Sequence, residues 1–528
     1  MVRIEKGGWA VIFLAGLGLV AYSVHQYGLV DLSAVFGKPG EWPPARLRVT
    51  EPAPSLDPLP KDVRAASNEI RVRVNPRVAC APGLVANGGL ETQQGSIYHR
   101  RGIRVSFDVI DDWNEAGEAL ASGRVDLMFT TADVWARDYA RFRERGFDAR
   151  AIMLAGWSRG ADGIIARQGT NSIEDLAGRI VAFAPYTPSH FLLWNALRGS
   201  GLSTEQRSQI LNRAVHTKDG VEPALLFANR KVDAAVSWEP ELSDAVAKRP
   251  DAKKVLDTNT ADHLIADIIV ASESYAERNP KTVIAFIEGW LEAVSFIRRS
   301  PERAHTIIGS VKDFNIPSDT AKAMLAGERL ADFADNRRFF GRPGSDSDYQ
   351  NVFRLAGEMY RELRLTRRIE SPENTVDYRY LDNIGDRGVF PAEPSEPPAR
   401  YRPPAAGAAP IATERLFIWF PPDSAEMALD SRLAVDDTGR FLRAFGNTIV
   451  SIEGNTDSSG SREENLRLSK ERADSVRDYL VERYGIAKER LRTVGNGPDR
   501  PVAPNATPDG REKNRRTDLK VYANAEAS

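Results

Sequence analysis

From residue 70 onward, short apolar runs with a two-residue period alternate with longer runs whose apolar positions recur every three to four residues. Residues 70–74 (IRVRV), 104–110 (RVSFDVI) and 125–131 (VDLMFTT) read as strands, and 113–123 (WNEAGEALASG) as a helix. A second set follows, with strands at 151–157 (AIMLAGW), 162–167 (DGIIAR), 179–185 (RIVAFAP) and 232–238 (VDAAVSW). Between them, 172–178 (SIEDLAG), 187–201 and 222–231 have helical spacing. Such alternation predicts an α/β fold with a largely parallel sheet, its ligand held beyond the carboxyl ends of the strands. Two sets predict two lobes.

The pattern breaks at 390–412 (FPAEPSEPPARYRPPAAGAAPIA), where proline excludes regular helix and sheet. We read 388–412 as a linker of roughly 70 Å at full polyproline extension, which would let the parts on either side move independently. Periodicity then resumes: 416–420 (LFIWF) as a strand, 434–446 as a helix and 449–453 (IVSIE) as a strand. The turn cluster GNTDSSG leaves Asp457 just past that strand, and a long helix covers 465–483. Leu466, Ala473, Val476 and Leu480 form its core stripe, with Asn465 and Arg472 on another shared face. Alternation of this kind predicts a small mixed sheet with helices on one side for 413–528.

At the other end, residues 7–30 contain no Asp, Glu, Lys or Arg and follow Arg3, Glu5 and Lys6. The stretch is long enough to cross a bilayer, with its basic end inside. An uncleaved anchor is the favoured reading. The alternative is a cleaved signal peptide ending near Ala21 to Ser23, although the apolar run outlasts the usual core of such a peptide. Residues 31–68 are proline-rich and read as a spacer reaching on the order of 100 Å from the membrane. The folded part then spans 69–387.

Composition narrows the function. A chain of 528 residues implies several domains, and a formal net charge of −2 without a Lys/Arg-rich run argues against nucleic acid as a partner. The single cysteine, Cys80, excludes an intrachain disulfide and a Cys-based metal cluster. The six histidines never take metal-ligand spacing, and no cofactor or metal is expected. A carboxylate at Asp457 and a guanidinium at Arg472 suit a free amino acid, the guanidinium taking its carboxylate and the aspartate its ammonium. An ordinary surface ion pair is the alternative.

The segments EGNTDSSG, NLRLSKERADSV and the run from Arg490 to Val521 resemble the OmpA C-terminal, peptidoglycan-associating domain. The resemblance implies that Asp457 and Arg472 hold the diaminopimelate of the peptidoglycan stem peptide, with Asn465, Asn514 and Arg515 in support. The family's common GHTD reads GNTD here, a change that spares both charge partners.

Upstream, SIEDLAGRIVAFAPYTPSHFLLWNALRGSGL, ALLFANRKVDAAVSWEPEL and TVDYRYLDNIG resemble the type 2 periplasmic solute-binding proteins of ABC transporters, in the nitrate, taurine and sulfonate branch. The resemblance implies a small-molecule solute closed between two lobes and an ABC permease downstream. By position it implies contacts from Thr130, Thr131, Trp157, Ser158, Thr187, Ser189, Trp238 and Glu239. Thr187 also reads as a helix N-cap followed by Pro188, offering free N–H groups and hydroxyls to an oxyanion. Trp157, Trp238 and Glu239 instead suit a cation, so the solute class stays open. The expectation is a non-enzymatic periplasmic solute-binding protein fixed between inner membrane and cell wall. The alternative is a wall-anchored sensor or structural protein.

Overall fold

The computed structural model describes residues 67–314, 316–391, 399–405, 407–421 and 424–524. The span expected at 7–30 and nearly all of the spacer lie outside the described residues. Among the described residues, no helix is long and apolar enough to cross a membrane.

The first strands are β1 (Glu69–Val74), β2 (Arg104–Val109), β3 (Leu127–Thr131) and β4 (Ala149–Ser158). The chain then crosses to a second sheet of β5 (Asp162–Arg167), β6 (Val181–Phe183), β7 (Val215–His216), β8 (Ala234–Trp238) and β9 (Ala252–Asp257). It returns to the first as β10 (Ala266–Ser272) and β11 (Glu328–Leu330). The six-stranded sheet has the order β11-β4-β10-β3-β1-β2, and the five-stranded sheet the order β7-β6-β8-β5-β9. Two lobes are thus joined by two crossings, after β4 and after β9.

Both sheets are mixed rather than largely parallel. β1 pairs in parallel with β2 and β3, but β10 runs antiparallel to β3 and β4. The return crossing is the cause: the chain re-enters lobe one from the opposite end, so β10 is inserted between β3 and β4 with its direction reversed. The helix expected at 172–178 is only a 3₁₀ turn, Glu174–Leu176. Asp175 there accepts hydrogen bonds from the backbone N–H groups of Asn171 and Ser172, a local closure that competes with helix.

Lobe one is filled by aromatic rings. Phe129 stacks on Trp290 of the helix Pro280–Arg299, and Phe286 of that helix stacks on Tyr98. The helix Asp348–Glu362 lies against Ala132–Glu144 and places lobe one's last helical layer beside the second lobe, where Glu362 accepts from the Trp194 indole at 3.2 Å.

The third sheet is built from β12 (Ala412–Leu416), β13 (Thr448–Asn455), β14 (Leu491–Gly497) and β15 (Arg516–Ala523), in the order β12-β15-β13-β14. β12 begins and ends earlier than the apolar run 416–420 suggests. Pairing with β15 stops at Leu416↔Thr517, and beyond it Phe417 and Trp419 are exposed while Ile418 and Phe420 are buried. The helix Arg462–Tyr484 crosses this sheet very closely. A Cβ on Gly454 would stand 2.1 Å from the Ser469 carbonyl oxygen, and one on Gly495 would stand 2.7 Å from that of Leu466. Only glycine permits this approach. The helix's buried stripe is Asn465, Ser469, Ala473, Val476 and Leu480, so Asn465 belongs to the inward face rather than to a separate one, and Leu466 is only half-buried.

The C-terminal domain does not stand free at the end of its linker. Ile173 N–H donates to the Ile411 carbonyl at 3.0 Å, and the Glu174 carboxylate accepts from the N–H groups of Thr413 and Gly201. On the lobe-one side, Arg443 pairs with Asp346 and Asp348 at 2.9 and 3.0 Å. At the second crossing, Asn447 donates to the Asn259 carbonyl and His263 N–H to that of Ala444. The linker is tied down too, Asn524 bonding both the carbonyl of Arg400 and the N–H of Arg402. Apolar faces such as Phe441 against Gly199 exclude water at these contacts, which is why proline content alone misjudges the freedom of the domain.

Candidate functional site

Two places gather chemistry. The first lies between the lobes. Arg77, just after β1, reaches across to Asp162 at the start of β5, with a separation of 3.1 Å, and its guanidinium lies 5.4 Å from the Trp238 ring centre. One side chain of lobe one thus holds a carboxylate and an indole of lobe two. A second bridge runs from Arg137 to the Tyr186 carbonyl at 3.4 Å. Tyr186 has a φ of +62°, a strained geometry for a side chain of this size, in the loop between β6 and the helix Pro188–Arg198.

Around Arg77 stand Asp162, Asp267 and Glu328, with Asp133 near Asp162 and Asp267. Asp133 opens the helix Ala132–Glu144 directly after β3, close enough to Asp267 to act on its charge, and Asp267 lies opposite Thr131 in the β10–β3 ladder, so Asp267 and Thr131 leave the same face of the sheet. Glu328 stands opposite Ser158 in the β11–β4 ladder. Asp133, Asp162 and Asp267 are fully buried. Burial pushes the Asp133 carboxyl up to about 7, although the Thr131 hydroxyl beside it opposes the shift. Burial also raises Asp267 and Glu328, against the pull of Arg77. Burial works against the charge on Arg77, but Asp162, Asp267 and Glu328 more than offset it and hold the guanidinium charged. The arrangement is a pool of buried carboxyl groups where the two lobes meet, with the charged guanidinium of Arg77 among them.

The residues expected from sequence divide around this pool. Thr130, Thr131 and Ser189 are buried, and their hydroxyls have no hydrogen-bond partner. Ser158 Oγ lies 2.8 Å from Thr258 Oγ1 and ties the two crossings together. Thr187 occupies the N-cap position, yet its hydroxyl turns back to the Ala184 carbonyl and caps nothing. Trp238 packs under Arg77, whereas Trp157 sits among Phe339, His263 and Arg329. Glu239 accepts from the Ser243 N–H at 3.0 Å and faces Lys254. Arg77, Asp133, Asp162, Asp267 and Glu328 escaped the sequence reading. The signal for Asp267 was present: one carboxylate inside the otherwise apolar run LIADIIV.

The second place is the rim of the C-terminal sheet. Asp457 follows β13, accepts the Ser459 N–H at 2.8 Å and pairs with Arg515 at 2.6 Å. Burial opposes ionisation, but the Ser459 N–H and Arg515 hold the carboxyl below its usual range. Arg472 does not pair with Asp457. Its guanidinium donates to the Ser424 carbonyl at 3.1 Å and lies over the Phe420 ring. Asn465 donates to the Ser459 carbonyl at 2.7 Å and so fixes the loop carrying Asp457. Asn514, fully buried, accepts from the N–H groups of Val502 and Ala503 and thereby shapes the neighbouring loop.

The geometry defines a two-lobed α/β binding fold followed by a small mixed-sheet domain with a charged rim. Residues 419–515 match the OmpA family, and residues 96–287 match the family described as ABC transporter, phosphonate, periplasmic substrate-binding protein. The chain therefore joins a segment that matches a periplasmic substrate-binding family to one that matches the OmpA family.

Outer membrane porin F of Pseudomonas aeruginosa is 39% identical over 111 residues, covering 21% of this chain and 32% of that protein. The peptidoglycan-binding protein ArfA of Mycobacterium tuberculosis is 49% identical over 80 residues, covering 15% of this chain and 24% of that protein. The chain thus spans about a third or less of the length of these two relatives. Among solved structures, the periplasmic aliphatic sulphonate binding protein SsuA from Escherichia coli aligns with 17% identity and a TM-score of 0.48, covering 60% of this chain and all of that one.

Proposed function

We propose that the chain is a periplasmic solute-binding protein held to the cell wall by its C-terminal domain. The observation that carries this reading is the boundary between the lobes, where charged and hydroxyl groups are buried without partners in a fold that joins its lobes through two crossings. Buried polar groups are normally satisfied, and a solute closed between the lobes supplies what these lack. At the rim, Asp457 takes the ammonium of diaminopimelate and Arg472 its carboxylate. Arg515, half-exposed, moves aside to free Asp457. The apolar stretch 7–30 anchors the chain in the inner membrane, a part of the reading supported by its length and lack of charge alone. An ABC permease receives the solute.

A second reading draws on the docking described above. The C-terminal domain touches both lobes and the second crossing, so a change in lobe angle reaches the wall-bound domain, as a sensor requires. A thermal-shift screen of the full-length chain against oxyanions, sulfonates, amino acids and nucleobases tests solute capture. Stabilisation by one class that follows about RT ln(1 + [L]/Kd) supports it. Uniform silence contradicts it.

A further inference from the structure

We propose that the cleft selects an organic cation carrying a protonated amine, held by Asp133 and Asp267 of lobe one and Asp162 of lobe two. This rests on the solute-binding reading and names its solute class.

The donor and acceptor inventory carries the inference. Both carboxylate oxygens of Asp133, both of Asp267, Oδ1 of Asp162 and Oε2 of Glu328 are buried without a hydrogen bond. Each can only accept while ionised. The facing cations are largely committed. Arg77 is bound to Asp162, Arg137 to Asp138 at 2.8 Å, and Arg73 to the carbonyls of Ile110 and Phe129 at 2.8 and 2.7 Å. Each of the three guanidinium groups keeps one unbonded nitrogen. The six unbonded carboxyl oxygens outnumber the three unbonded guanidinium nitrogens; an ammonium brings three donors to them, whereas an oxyanion would bring only more acceptors.

The hydroxyl of Thr131 is a separate pointer. It is fully buried and unpartnered, and it lies opposite Asp267 in register, facing the same space. The Trp238 ring, now under Arg77, adds a face for a cation. The carboxyl groups do not converge on one point: among the described residues, no three His, Cys, Asp or Glu groups are arranged to hold a metal ion, which suits contacts spread along an organic cation.

The test is isothermal titration of the full-length chain with putrescine, spermidine and ethanolamine on one side, and methanesulfonate, methylphosphonate and nitrate on the other. Binding by at least one amine is expected, with affinity at least tenfold above every anion. Asp267→Asn and Asp133→Asn should each weaken that amine at least tenfold. Arg104→Ala, which breaks an exposed pair with Glu69 at the edge of lobe one, should leave it unchanged. Binding of an anion and of no amine would overturn the cation assignment and leave solute capture standing. Amine binding that survives both Asn substitutions would overturn the assigned site. Silence toward both classes overturns the cation assignment, and the broader thermal-shift screen then decides whether any solute is captured.

Discussion

The two sites use the same groups, carboxylates and guanidinium ions, in opposite states. At the C-terminal rim, Asp457 is provided for in advance: a backbone N–H and Arg515 satisfy it, and its pKa is held down. In the cleft, Asp133 and Asp267 are buried without hydrogen bonds, and their pKa values are driven up. The difference teaches how each place is tuned. A satisfied, partly open pair is stable by itself and exchanges one partner for a ligand at small cost. A buried, unsatisfied cluster destabilises the empty protein, so filling it favours the closed form.

The sharpest break in this contrast comes from Arg77, whose guanidinium reaches a carboxylate across the lobes. Arg77→Ala leaves Asp162 buried and unpaired, and a loss of about 3–5 kcal/mol in unfolding free energy is expected from chemical denaturation. A loss below about 1 kcal/mol would show that the lobes do not depend on the bridge. At the rim, Asp457→Ala removes a charge-assisted contact of about 1.5–3 kcal/mol, so binding to purified peptidoglycan should fall roughly tenfold to hundredfold with the melting curve little changed. Undiminished sedimentation with the wall would remove Asp457 from the site.

A smaller effect separates the two electrostatic states by pH. Asp133 titrates near 7 in the folded chain, above its ordinary value of 3.8, with Thr131, Arg137, Asp162, Asp267 and Tyr360 around it. Between these values the folded chain binds the extra proton. Empty protein should therefore lose stability as pH rises from about 4 to 7 and level off above. Asp133→Asn should reduce that slope, Asp267 supplying the rest, and raise the melting temperature at pH 7.5 by roughly 2–4 °C for each kcal/mol relieved. An unchanged slope would show that Asp133 stays ionised. The smallest expected effect is at the docked domain: Arg443→Ala breaks pairs with Asp346 and Asp348, both partly exposed, and should cost about 1 kcal/mol or less in thermal unfolding.

The legibility of the two places in sequence follows the same division. The rim is local. GNTDSSG, the helix behind it and the NRR that leads into β15 lie in one domain, so turn chemistry places Asp457 and the family resemblance adds Arg515. Even so, the partner of Asp457 is Arg515, a contact across 58 positions that spacing on the helix cannot give. The cleft is assembled from residues 77, 133, 162, 267 and 328, brought together only when β10 returns between β3 and β4. Strands and helices there were readable from period. The reversed direction of β10 was not, because an apolar strand looks alike in either sense. The docked domain was missed because proline describes a linker's backbone and says nothing of the surfaces at its two ends.

The most direct test asks whether one chain does both tasks together. Peptidoglycan sacculi loaded with the full-length protein are sedimented in the presence of a labelled amine that binds the protein in free solution, and label in the pellet is counted against protein. The account predicts close to one label per bound chain, lost from the pellet in Asp267→Asn with the protein still present, and lost together with the protein in Asp457→Ala. Wall-bound protein that carries no label, while the same protein in solution does, would contradict it.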